Sequence, residues 1–179
     1  MGRWATRATE GDQGRHAHMG MSVTIATAGE DDAEQILKLQ YLCYQGEAEL
    51  YGDYSIAPLT QSLAALRAEL AAGCVLVARL GDEVVGSVRA SVDTSGVATL
   101  AALIVHPRLR RHGLGGRLLA AVEERLAAEH SAQRFRLSVG RRSEVALRLC
   151  RGRGYAATAG AEQGLVTLEK AVEAPAYVG

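Results

Sequence analysis

Apolar and polar positions change their spacing repeatedly along this chain, and each change marks an element. Val23-Thr24-Ile25-Ala26 alternates as a strand. Glu30, Asp31, Asp32 and Glu34 then crowd into the first turn of a helix, where acids complement unpaired amides, and Ile36, Leu37, Leu39 and Gln40 continue it. From Tyr41 to Pro58 the pattern dissolves into tyrosines and acids. Thr60 reads as the cap of a second helix whose Leu63, Leu66, Leu70 and Ala71 share a face and which stops at Gly73. Val75 to Ala78 runs to a Gly81-Asp82 turn and returns through Val84 to Val88, a hairpin, and a turn at Thr94-Ser95-Gly96 sends the chain back as Val97 to Val105. These three strands form an antiparallel meander. Leu114, Leu118, Val122 and Leu126 repeat every four residues on a long helix. Phe135 to Val139 is the next strand, Ser143 to Arg151 a short helix ending at Gly152, and Leu165 to Leu168 a last strand.

Composition narrows the class. A chain of 179 residues, 48% hydrophobic, builds one core without a metal or a disulfide, and no repeat or second domain appears. One domain is expected over 22–172, followed by a short tail, 173–179. Residues 1–21 are rich in Gly, Arg, Thr and His with few aliphatic side chains, and read as a loose leader or upstream-start segment ahead of Met19 or Met21, with His16 and His18 solvated. Net charge is zero, yet Ala101 to Tyr155 holds twelve arginines against four glutamates, +8, balanced by −8 elsewhere. A basic half in a neutral chain suits a polyanionic small ligand better than nucleic acid. Cys43, Cys74 and Cys150 are odd in number and far apart, which indicates neither a disulfide framework nor a metal site and fits a reducing cytoplasm. No apolar run approaches the ~18 residues of a membrane span.

The chemistry concentrates between Leu103 and Leu119. An apolar strand ends at Val105-His106-Pro107, an arginine-rich turn with Gly113, Gly115 and Gly116 follows, and a helix begins. Helix starts leave amides unpaired and carry partial positive charge, so they attract anions. Glycines let a phosphate approach, and Arg110, Arg111 and Arg117 supply charge-assisted hydrogen bonds. The spacing Arg110-x-x-Gly113-x-Gly115 is neither a Walker loop nor a dinucleotide fingerprint. It resembles the acyl-CoA pyrophosphate loop of the GNAT N-acetyltransferase superfamily, Gln/Arg-x-x-Gly-x-Gly/Ala after a strand. A second motif of that family, Asn-x-x-Ala-x-x-Leu/Phe-Tyr-x-x-x-Gly-Phe/Tyr, matches at Ala146, Leu149, Gly154 and Tyr155 and departs at Ser143 and Cys150.

The resemblance covers about Ser22 to Val172 and implies an α/β fold of α+β type: a mixed, mostly antiparallel twisted sheet of about seven strands, helices on both faces, the fourth and fifth strands splayed. It implies acetyl-CoA as cosubstrate and no metal. Leu103, Ile104 and Val105 are then expected along pantetheine. Arg110, Arg111, His112, Gly113, Leu114, Gly115 and Gly116 are expected around the pyrophosphate, with Ser143 beside the cofactor and Arg141 and Arg142 near an outer phosphate. Cys150 stands where the family's tyrosine often protonates the leaving thiolate. Two readings of it are open: a proton donor of ordinary pKa about 8.5, or a small packed hydrophobe on a short amphipathic helix. Val97 to Ala102 lacks the carboxylate that often serves as base on that strand, so the base must come from elsewhere. Glu47 and Glu49 are the candidates. Tyr44, Tyr51, Asp53 and Tyr54 are expected to contact the acceptor, although a solvated helix face with half-buried tyrosines fits the same residues. The expected function is acetyl transfer from acetyl-CoA to a small-molecule primary amine by direct attack in a ternary complex. A catalytically silent CoA-binding module and a protein N-terminal or Lys acetyltransferase are the alternatives. Neither nucleic acid nor membrane is expected as a partner, and a homodimer, frequent in that family, stays open.

Overall fold

Every alternating segment joins one sheet in a computed structural model of the chain, which describes residues 22–158 and 164–173. The strands are β1 (Thr24–Thr27), β2 (Cys74–Leu80), β3 (Glu83–Val92), β4 (Val97–Val105), β5 (Arg134–Gly140), β6 (Ala156–Ala157) and β7 (Leu165–Ala171), in the spatial order β1-β2-β3-β4-β5-β7-β6. Neighbours are antiparallel except β4 and β5, which are parallel. A parallel pair needs a crossover, and α3 (Leu114–Glu129) provides it. The expected leader and most of the tail lie outside the described residues.

Strand alternation divides the core in two. Leu76 and Ala78 of β2 point to one face, where Leu114, Leu118, Leu119, Val122 and Leu126 of α3 pack with Phe135, Leu137 and Leu147. Val75 and Val77 point to the other, against Ala33, Ile36 and Leu39 of α1 (Ala33–Tyr51) and Leu66 of α2 (Leu63–Ala72). The last helix, α4 (Glu144–Gly152), adds Leu147 and Cys150 to the first face. No helix among the described residues is long and apolar enough to cross a membrane.

Three expectations need correction. The acids Glu30 to Asp32 form a 3-10 turn ahead of α1, in which the Asp32 carboxylate accepts the Gly29 amide at 2.7 Å and both guanidinium arms of Arg79 at 2.6 Å. The bond to Arg79 holds the Asp32 carboxyl below the usual carboxylate range. The second helix is capped by Ser62, whose hydroxyl accepts the Ala65 amide at 3.1 Å, because Thr60 belongs to a separate turn, Ala57–Thr60. The segment beginning at Tyr41 is not irregular. Helix α1 continues to Tyr51, and its second half shows no apolar stripe because, Ala48 apart, that half buries no residue in the core.

The feature that positions the site is where β4 and β5 part. Their ladder joins only Val97–Leu100 to Arg134–Leu137, while β4 runs on to Val105 beside β3 and β5 to Gly140 beside β7 without pairing with each other. Just past the last pair, Ala102 adopts φ 49°, and the register against β3 shifts between Ser87 and Arg89. A bulge of this kind bends the strand, so the two strands diverge and leave one edge of Ala101 to Val105 open.

Candidate active site

The open edge of β4 leads directly into the arginine-rich turn. His106 accepts the Arg108 amide on Nδ1 at 3.2 Å and so caps the short turn Pro107–Leu109 instead of facing a ligand. Arg111 at φ 72° and Gly113 at φ 74° then put two left-handed residues ahead of α3. For arginine this is a strained conformation, tolerated where backbone amides must converge on an anion. Gly113 offers no side-chain cap, and the first helical bond is Arg117 N–H to the Gly113 carbonyl at 3.1 Å. The amides of Leu114, Gly115 and Gly116 therefore have no partner within the helix. Arg110, Arg111 and His112, which precede them in the turn, are exposed.

The glycines divide their work. A Cβ on Gly113 would meet nothing within 4 Å, whereas one on Gly115 would stand 3.1 Å from Leu149 Cδ2 and one on Gly116 3.8 Å from Leu149 Cδ1. Gly113 keeps the approach to the amides open, and Gly115 lets α3 close onto α4. Arg117 does not join the loop: its guanidinium donates to the Val23 carbonyl at 3.1 Å, beside β1.

Helix α1 crosses above the gap. Gln40, Tyr44, Glu47 and Tyr51 succeed one another at helical spacing and share a face. At one end Gln40 and Tyr44 line a cavity and the Cys43 thiol between them donates to the Val105 carbonyl of β4 at 3.4 Å, and at the other end the Tyr51 hydroxyl accepts the Arg142 amide at 2.9 Å just beyond β5. Glu47 follows on the same face between the contacts to β4 and those beyond β5, half-buried, and burial alone pushes its carboxyl pKa up. Arg142 also donates to the Leu50 carbonyl, and Ser143 donates its amide to the Gly140 carbonyl at 2.9 Å, so both stand on the β5 side of the opening. Ile104 is buried in the face covered by α1, while Leu103 and Val105 are half-buried against the other.

The cavity, about 620 Å³, sits between α1, the turn at Ala57–Thr60, α2, β3 and the bulged part of β4. Of the residues expected at the acceptor only Tyr44 lines it, its hydroxyl pKa pushed up to about 12 by burial. Asp53 is exposed and accepts the Ser55 amide and hydroxyl at 2.8 and 2.5 Å, bonds that hold its carboxyl low and serve the local turn. Glu49 and Tyr54 are also exposed, Tyr54 by 58%. Helix continuation explains these positions, since it carries Glu49 onto the outer side of α1 and places Asp53 and Tyr54 beyond its end.

Residues the sequence reading passed over form the polar wall instead. Arg89 rises from β3 and donates to Gln40, Gln61 and Glu69. Gln40 donates to the Pro58 carbonyl at 2.8 Å and to Gln61 at 3.0 Å, and Gln61 donates to Glu69 at 2.8 Å. Two signals could have found them: Arg89 is the only charge inside the apolar run from Val84 to Val92, and Gln40 falls at core spacing four residues after Ile36.

Cys150 stands apart from all of this. It is 2% exposed in the main core, and burial together with the charge of Glu123 pushes its thiol pKa up to about 11. Nearby, the Tyr155 hydroxyl and Lys170 ammonium donate to Glu123 at 3.0 and 2.9 Å, a buried brace between α3 and β7. Cys150→Ala is accordingly expected to change kcat by less than about twofold and to cost about 1 kcal/mol of stability, checked by steady-state kinetics and denaturant unfolding. A large fall in kcat with folding intact would make the thiol an acid after all.

The family model described as Acetyltransferase (GNAT) family matches residues 33–155. No curated protein matches the chain. Among solved structures, PaiA N-acetyltransferase of Thermoplasma acidophilum, in complex with coenzyme A, is 18% identical with a TM-score of 0.76, the match covering 85% of this chain and 100% of that one. YncA of Salmonella typhimurium, with its cofactor acetyl-CoA, is 18% identical at a TM-score of 0.67, covering 86% and 95%. The ribosomal-protein-alanine N-acetyltransferase of Brucella melitensis is 21% identical at 0.65, covering 83% and 99%. Likeness at these identities concerns the fold.

Proposed function

The chain belongs to the acetyltransferase (GNAT) family, and from that premise we propose that it transfers an acetyl group from acetyl-CoA to a primary amine of a small molecule, with Glu47 as general base. One observation carries the reading: the part of β4 that leaves β5 begins at Ala101 and Ala102, which line a walled cavity of about 620 Å³, and ends at Val105, ahead of the turn that leads to the unpaired amides of α3. That volume suits a small ligand.

The residues fit acetyl-CoA. The amides of Leu114, Gly115 and Gly116, with Arg110, Arg111 and His112, would hold the pyrophosphate, and the open backbone of Leu103, Ile104 and Val105 would pair with the pantetheine amides, Ser143 standing across the opening. When bound, acetyl-CoA supplies a thioester carbonyl: an N–C bond forms, the C–S bond breaks, the amine loses a proton and the thiolate gains one. Glu47, half-buried and less acidic than an exposed carboxyl, takes the amine proton directly or through a water. With Cys150 enclosed in the core, solvent protonates the thiolate. The free cysteines Cys43, Cys74 and Cys150 suit the reducing cytoplasm.

Acetyl-CoA is expected to raise the melting temperature, and release of CoA thiol is expected only when an amine from a panel is added. No melting shift at millimolar acetyl-CoA would remove the assignment. A shift without amine-dependent release would leave a silent binding module.

A further inference from the structure

Arg89 leaves one group unexplained. Its side chain is 13% exposed, its terminal nitrogens donate to Gln40, Gln61 and Glu69, yet Nε is enclosed and has no partner among the described residues. A buried donor without an acceptor is unfavourable, the more so on a charged group. A brace between β3 and α2 alone would not call for a guanidinium, since uncharged residues can hold two elements together without desolvating a charge.

From this wall we infer that the acceptor is a small amine carrying a carboxylate, of the amino-acid class, and that Arg89 binds the carboxylate. The inference rests on the reading of the cavity as the acceptor site. Charge balance supports it: among the described residues the ionised side chains lining the cavity are Arg89 and Glu69, which already pair. A polyamine would bring uncompensated positive charge to a wall whose two charges cancel. A zwitterion adds no net charge to it, because its carboxylate can share the Arg89 guanidinium while its ammonium shares Glu69. Glu69, half-exposed, meets the ammonium before its proton is lost. Register adds direction. Arg89 lies opposite Ala101, beside the bulge at Ala102, so an anion held on Arg89 is anchored from the strand that borders the opening.

The test measures CoA-thiol release from acetyl-CoA by the unmutated protein with free α-amino acids, the corresponding amino-acid amides and spermidine. At least one free acid is expected to exceed its amide in kcat/KM by about tenfold or more, and to exceed spermidine, because the amide cannot offer the guanidinium a charged acceptor. In Arg89→Gln the acid-to-amide ratio is expected to fall to about one, with KM for acetyl-CoA unchanged within about twofold. Should that variant fail to fold, the acid–amide comparison in the unmutated protein decides alone. An amide or spermidine used as well as any acid, a ratio that persists in Arg89→Gln, or bound acetyl-CoA with no free acid accepted overturns the inference. Failure of acetyl-CoA to bind at all, read separately by melting shift, overturns the acetyl-transfer reading beneath it.

Discussion

Replacing Glu47 with Gln is expected to lower kcat by about a hundredfold, the usual contribution of a positioned general base, with little change in KM for acetyl-CoA. The pH dependence gives the assignment a signature. Burial raises the Glu47 pKa above the ordinary value, so the acid limb of the kcat/KM profile should fall above the usual carboxylate range and vanish in the Gln variant. Stability should move the opposite way. A carboxyl whose pKa is higher in the folded than in the unfolded state binds its proton more readily when folded. Its contribution is full below the unfolded pKa and is lost as pH rises through the folded pKa. At neutral pH the charged Glu47 is therefore a cost, and Glu47→Gln should melt higher than the unmutated protein at pH 7, the difference shrinking toward pH 4. Lower turnover with higher melting temperature is the trade expected of a functional group. Unchanged kcat would move the base away from α1.

The same helix shows where sequence reading stops. Ile36 and Leu39 face the core and announce themselves by spacing, whereas from Cys43 to Tyr51 the inner face meets a strand edge and an opening, so its residues are Cys, Tyr and Glu and the apolar period disappears. Where the helix leaves the core, the apolar signal goes with it. The strands behaved differently because both faces of β2 and β3 are covered by helices, and their near-continuous aliphatic runs stand out. Arg89 was visible as a lone charge in such a run, but its place beside the opening depends on the bulge at Ala102, and an alanine gives no warning of a left-handed backbone. Thr60 and Ser62 are equally plausible caps by residue type. Only the extra turn at Ala57–Thr60 decides between them.

The arginine-rich turn was legible as a motif, but the separate duties of its glycines were not, because one of them depends on a contact 34 positions away in the chain, between Gly115 and Leu149. Two substitutions should separate those duties. Gly113→Val places a β-branched residue at φ 74°, where strain of roughly 1–2 kcal/mol is expected, and projects its side chain into open space in front of the unpaired amides. Loss of one charge-assisted hydrogen bond to the pyrophosphate, about 1.5–3 kcal/mol, corresponds to a Kd for acetyl-CoA raised about tenfold to a hundredfold. Gly115→Val drives its methyls into Leu149 instead. Overpacking of that kind costs about 1–3 kcal/mol of apoprotein stability, and because the conflict is between two side chains, Leu149→Ala should relieve part of it. Denaturant unfolding of Gly115→Val, Leu149→Ala and the double variant should therefore show coupling, with the pair less destabilised than the single effects added together. Calorimetric titration with acetyl-CoA should find Gly113→Val the weaker binder of the two glycine variants. If Gly115→Val folds with unaltered stability and loses acetyl-CoA as completely as Gly113→Val, both glycines serve the phosphate and the packing role assigned to Gly115 is wrong.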